Sequence, residues 1–108
     1  MNQSTKVKIV VFVPQAHAEV VRQAMGDAGA GGIGNYTHCS FSSKGQGRFL
    51  PQDGAHPAIG EVGKFELVEE ERVEMTCERE KLQAVIVAMK QAHLYEEVAF
   101  DVYPLEEV

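Results

Sequence analysis

The hydrophobic period changes in the same order twice along this chain, and few folds accept that order. Residues 8–14 are short, β-branched and nearly all apolar, and Pro14 closes the run. Such a run reads as a strand buried on both faces. The period becomes helical over residues 16–28. Val20, Val21, Ala24, Met25 and Ala28 fall on one side, with Glu19, Arg22, Gln23 and Asp27 on the other. No strong N-cap residue opens this helix, and Gly29 is placed to end it, because the position after a helix usually needs positive φ. Residues 35–41 alternate. Thr37, Cys39 and Phe41 would share one face, and Tyr36, His38 and Ser40 the other.

The second half repeats the succession. Val73, Met75 and Cys77 alternate with Arg72, Glu74 and Thr76, so residues 64–77 read as a strand region. Residues 78–92 read as a helix with Leu82, Val85, Ile86 and Met89 on its apolar face. Glu78 and Glu80 near its start and Lys90 near its end suit the helix dipole. Residues 97–103 alternate again through Val98, Phe100 and Val102 until Pro104. Two βαβ halves of this length predict one α+β domain over residues 1–108. Its form is a ferredoxin-like sandwich, a four-stranded antiparallel sheet with two helices on one face.

The connections carry less pattern. Residues 42–47, SSKGQG, read as a turn, with residues 48–50 as a returning hairpin arm. This predicts an additional β-ribbon around residues 40–50. Residues 52–63 hold Gly54, Pro57, Gly60 and Gly63 and read as a loop long enough to be functional. Glu69, Glu70 and Glu71 read as a solvated acidic run.

A net charge of -6 with no basic cluster disfavours a nucleic-acid partner. No apolar run approaches the ~20 residues of a membrane span. The first residues lack a signal-peptide pattern, so a cytoplasmic location is expected. Two cysteines, Cys39 and Cys77, do not make a disulfide framework and are expected as free thiols.

The densest chemistry lies in residues 29–39, GAGGIGNYTHC. Its glycines satisfy G-x-G-x-x-G, but a dinucleotide fingerprint follows a strand and opens a helix. Here it follows a helix, so the glycines read as a helix cap and a tight turn. Adjacent strand residues point to opposite faces, so His38 and Cys39 would not share an ion. Cys39 reads as a small core residue. His93, Glu96 and Glu97 follow the second helix as a solvated exit or as donors to a divalent metal. His17 and His56 read as ordinary surface histidines. No G-x-S-x-G, P-loop, H-E-x-x-H or C-x-x-C occurs, and no nucleophile with its base is visible.

Taken together, GAGGIGNYTHC, HPAIGEVG, the glutamates before RVEM and HLYEEVAFDVY resemble the YqfO-like family. That family is similar to the CutA/PII-like domain inserted in NIF-three-like metal-binding proteins. The resemblance implies a CutA/PII-style ferredoxin-like fold, a homo-oligomer, in this style a trimer, and metal or small-molecule binding. The family's last motif usually reads His-Pro-Tyr-Glu-Glu-Pro, and Leu94 and Val98 stand here in place of both prolines. The metal ligands of the host domain are not part of this chain, so no hydrolase activity carries over.

The functional expectation is a small non-enzymatic binding or regulatory module. Asn35 and Tyr36 are the expected small-ligand contacts. His38, His93, Glu97 and Glu61 are the expected donors to a divalent ion, and a mixed imidazole and carboxylate set suits Zn²⁺. Two alternatives stand beside it: an enzyme with a metal-assisted site formed between subunits, and a purely structural oligomerisation domain.

Overall fold

In a computed structural model, which describes residues 4–108, the chain forms four strands and two helices. Strands β1 (Lys6–Pro14), β2 (Phe41–Phe49), β3 (Glu66–Glu78) and β4 (Phe100–Pro104) make one sheet in the order β2-β3-β1-β4. Every neighbouring pair is antiparallel. Helix α1 (Ala18–Asp27) follows β1, and α2 (Leu82–Ala92) follows β3. The ferredoxin-like sandwich expected from the two βαβ halves is the fold observed.

Val7, Ile9, Val11 and Val13 of β1 and Val73, Met75 and Cys77 of β3 turn one face of the sheet toward the helices. Ala18, Val21 and Met25 of α1 and Val85 and Met89 of α2 close over that face. Val20, expected on the apolar side of α1, is exposed instead. The central place of β1 explains its double-sided hydrophobicity: Val10 points away from the helices, opposite Glu74 and Asp101, and is still fully buried. Each helix is entered through one 3₁₀ turn directly after its strand, and neither entry has a side-chain cap.

Gly29 ends α1 as expected, with φ +118°. The Ala30 N–H reaches the Met25 carbonyl and the Gly29 N–H that of Gly26, both at 3.0 Å. This is the paired-bond Schellman ending. The next residues depart from expectation. Residues 35–40 are not a strand. Gly34 and His38 both take left-handed φ, which breaks the alternation the sequence suggested. Ile33 and Tyr36 exchange backbone bonds at 2.9 Å around a Gly34-Asn35 turn. Gly31 donates to the Thr76 carbonyl at 2.7 Å and accepts from Cys39 N–H at 2.9 Å. A Cβ at Gly31 would meet the Cys39 backbone at 2.5 Å, so only glycine admits this crossing. Cys39 is half-buried and outside the core, whereas Cys77 lies in it.

The stretch 42–47 is likewise no turn. It lies inside β2, paired from Phe41↔Glu74 to Phe49↔Glu66. The ribbon expected around residues 40–50 is thus a single strand of the sheet, and of the strand expected at 35–41 only Phe41 belongs to it. β1 meets β3 only from Glu70 onward, so the far ends of β2 and β3 project past the sheet as a two-stranded ribbon.

Candidate ligand cleft

The cleft opens where that ribbon leaves the sheet. β4 ends its ladder with β1 at Val11↔Phe100, and beyond it only Phe12 N–H still reaches the Ala99 carbonyl, at 3.1 Å. In an antiparallel ladder the N–H and C=O of such a residue point the same way. The Phe12 carbonyl therefore faces a partner strand that has already turned away. His93, at the end of α2, fills the vacancy. Its Nδ1 accepts the Tyr95 N–H at 3.1 Å, which fixes the proton on Nε2. Nε2–H then donates to the Phe12 carbonyl at 2.7 Å. His93 is buried, and both ring nitrogens are committed.

This anchor holds Tyr95 across the end of the sheet. The Tyr95 ring meets Phe49 edge-on, with centroids 5.7 Å apart, and its hydroxyl donates to Glu70 Oε2 at 3.3 Å. Residues 50–65 fold over as a roof. Gly63 N–H closes the loop on the Pro51 carbonyl at 2.9 Å, and His56 N–H ties it to Glu96 Oε1 at 2.8 Å. The cleft beneath it, half open to solvent, has a volume of about 600 Å³. Phe12, Phe49, Pro51 and Ile59 supply apolar wall, and Glu70, Tyr95, Glu96 and Glu97 supply most of the polar chemistry.

Glu70 is the unusual member. It is 8% exposed, and no cation pairs with it among the described residues. Gly47, diagonal to it on β2, leaves it room: a Cβ at position 47 would collide with the carboxylate. Burial, with the Glu70 charge next, pushes the Tyr95 phenol up to about 12, so it stays a hydrogen-bond donor.

Of the residues expected as metal donors, Glu97 lines the cleft. The other expected site residues lie elsewhere. Glu61 is exposed on the loop and pairs with Lys64 at 2.9 Å. Asn35 and Tyr36 form the exposed turn after α1, with Tyr36 74% exposed. His38 sits at that same end, its Nε2 2.9 Å from Asp27 Oδ1 and its Nδ1 3.0 Å from Thr37 Oγ1. That end adjoins Thr76, opposite Lys8, while His93 binds Phe12, four residues along β1. Within one protomer the two histidines therefore do not meet. Among the described residues no group of three or more His, Cys, Asp or Glu is arranged to hold a metal ion. The donor set foreseen from the sequence does not fit one within a single protomer.

Sequence reasoning missed Glu70, Gly47 and Tyr95. The acidic run is not solvated as a block. Glu71 points toward α1 and pairs with Arg22 at 2.6 Å, Glu69 accepts from Gln46 at 3.0 Å, and Glu70 faces the opposite way, into the cleft. Strand alternation carried through residues 66–74 would have separated Glu70 from its neighbours.

The strand order, the two helices on one face and the projecting hairpin define a ferredoxin-like domain of the CutA type. The periplasmic divalent cation tolerance protein CutA from Archaeoglobus fulgidus matches with a TM-score of 0.70, over 95% of this chain and 86% of that one, at 18% identity. At that identity the likeness shows the fold. Two other proteins are closer in sequence. A Bacillus cereus protein related to NIF3 matches with a TM-score of 0.83 and 52% identity, over 99% of this chain and 27% of that one. The Bacillus subtilis protein named GTP cyclohydrolase 1 type 2 homolog is 55% identical over 100 residues, 93% of this chain and 27% of that protein. The chain spans about a quarter of the length of the curated relatives it matches. It is thus homologous to one segment of the NIF-three-related, YqfO-like proteins. No protein-family model matches the chain.

Proposed function

We propose that the chain is a small binding or regulatory module and that the cleft between Tyr95 and the 50–65 loop is where it binds. One observation carries the reading: an apolar cleft of about 600 Å³ has a buried carboxylate, Glu70, in its wall. Cavities of that size with a few placed polar groups suit small molecules. Glu70 is largely withdrawn from bulk water and holds one long bond from Tyr95, at 3.3 Å, so the rest of its hydrogen-bonding capacity is open to an occupant of the cleft. Titrating the labelled chain with a library of small aromatic compounds tests this. Binding should move the amide signals of Gly47, Phe49 and Tyr95. A library that moves none of them would remove the cleft from consideration.

A divalent cation is the second reading. His38 Nε2 and Asp27 Oδ1 stand side by side at the surface, and the remaining donors would come from another copy. The A. fulgidus neighbour is named for divalent cation tolerance, which supports asking the question. Calorimetry with Zn²⁺ on wild type and His38→Ala answers it, since equal weak binding by both removes His38. The name GTP cyclohydrolase 1 type 2 homolog belongs to proteins of which this chain matches about a quarter. An activity of that kind would belong to the longer protein.

A further inference from the structure

We infer that the cleft takes a small molecule with an apolar, preferably aromatic, body and a cationic hydrogen-bond-donating head such as an amine, amidinium or guanidinium. This deepens the binding reading above and rests on it.

The inference begins with the unmet demand of Glu70. An ionised carboxylate offers about four acceptor positions. Among the described residues it receives one hydrogen bond, from Tyr95, at 3.3 Å. Bonds from a hydroxyl to a carboxylate run to about 2.5–2.7 Å when well formed, so this one leaves the charge poorly compensated. The other oxygen, Oε1, sits in the space that a Cβ at Gly47 would fill. Glycine there is not required by the backbone, because its φ is not positive. What it provides is the room in which the carboxylate lies in the cleft wall.

Among the described residues no side chain forms an ion pair with Glu70. Arg48 lines the cleft, but its guanidinium lies over the Phe65 ring at 3.9 Å and pairs with no carboxylate. Glu96 and Glu97 add two more carboxylates to the lining. With three carboxylates against the one guanidinium of Arg48, the lining is net negative, and such a wall concentrates cations and repels anions. Phe49 and Tyr95 present aromatic surface beside Glu70, while the Phe12 ring already faces the Arg72 guanidinium at 5.9 Å, and a cation is stabilised over such rings as well as by the carboxylate. Charge, hydrogen-bond demand and wall chemistry all select a cation.

Three probes share one ring and differ in head charge: benzamidine, benzyl alcohol and benzoate. Calorimetry and amide shifts on the full chain should rank them in that order, with benzamidine at least about tenfold tighter than benzyl alcohol. Glu70→Gln should bring benzamidine down to the level of benzyl alcohol. Tyr95→Phe, which releases the second oxygen of Glu70, should keep benzamidine binding or tighten it. If Glu70→Gln does not fold, the wild-type ranking still decides. Should all three probes move the cleft signals with equal affinity, the cleft binds but the cationic class is overturned. Should none move them, both the class and the binding reading fall.

Discussion

His93 donates its Nε2–H to the main-chain carbonyl of Phe12 at 2.7 Å, joining the end of α2 to the strand at the centre of the sheet. The same ring accepts the Tyr95 N–H, so one buried side chain satisfies two backbone groups that the sheet leaves unpaired. His93→Leu keeps the bulk and removes both bonds. A buried polar group left without a partner costs about 1–3 kcal/mol, and two are exposed here. Urea denaturation should show a loss of about 2–4 kcal/mol. His93→Gln, which can still donate and accept, should recover part of it. A loss too small to resolve in His93→Leu would mean that the anchor is dispensable.

Two glycines of β2 give a matched comparison. Gly47→Ala puts a methyl group into the Glu70 carboxylate, whereas a Cβ at Gly45 meets nothing within 4 Å. Gly47→Ala should destabilise the fold by about 1–3 kcal/mol, the usual cost of overpacking. Gly45→Ala should be neutral or mildly stabilising, since glycine weakens a strand through backbone entropy. Equal effects of the two, read from thermal melts, would contradict the close approach at position 47.

These glycines also show why the sequence revealed the architecture better than the site. Periodicity reports burial against a partner layer. β1, β3 and both helices bury an apolar stripe against each other, so their pattern was legible, as was the Schellman ending at Gly29. β2 is an edge strand that contributes none of its residues to the buried core, and its sequence, FSSKGQGRF, reads locally as a turn. Backbone pairing with β3 makes it a strand, and that pairing leaves no mark on its own composition. Residues 35–41 failed for the opposite reason. Their alternation was real in composition, but His38 at φ +60° turns the chain and is held there by Asp27 and Thr37. The cleft depends on which way Glu70 faces, and a run of three glutamates conceals that.

Tyr95 offers a spectroscopic handle on the cleft. Its phenol is pushed up to about 12, chiefly by burial and then by the Glu70 charge. A folded value above the unfolded one, near 10, means that the folded state holds its proton longer. The associated stability is fully present below about pH 10 and is lost as pH rises toward 12. Ultraviolet titration should resolve one of the three tyrosines, Tyr36, Tyr95 and Tyr103, with a midpoint near 12 that disappears in Tyr95→Phe. Glu70→Gln should lower that midpoint by removing the carboxylate charge. An unchanged midpoint in Glu70→Gln would separate the two groups.

The last prediction concerns the sheet face turned away from the helices. Across it run Phe41, Glu74, Val10 and Asp101 in one row and Thr76, Lys8 and Tyr103 in the next. Phe41 is 68% exposed and Tyr103 45% exposed, each on an edge strand, with Lys8, Arg72 and Glu74 forming ion pairs between them. Antiparallel sheets tolerate one wet face, and the charged centre shows how this one does so. The aromatic flanks do not serve that purpose. Burying both rings against another copy would remove apolar surface worth about 25 cal/mol per Å², which makes this face the one on which to test self-association. Light scattering at about 100 µM, roughly a hundred times a micromolar dissociation constant, should show a homo-oligomer, for which the sequence expectation is a trimer. Phe41→Glu and Tyr103→Glu bring like charge beside Glu74 and Asp101. Each should shift the population toward monomer while leaving the helix signal in circular dichroism unchanged. A wild-type chain that stays monomeric at that concentration would show that Phe41 and Tyr103 are not an interface between copies.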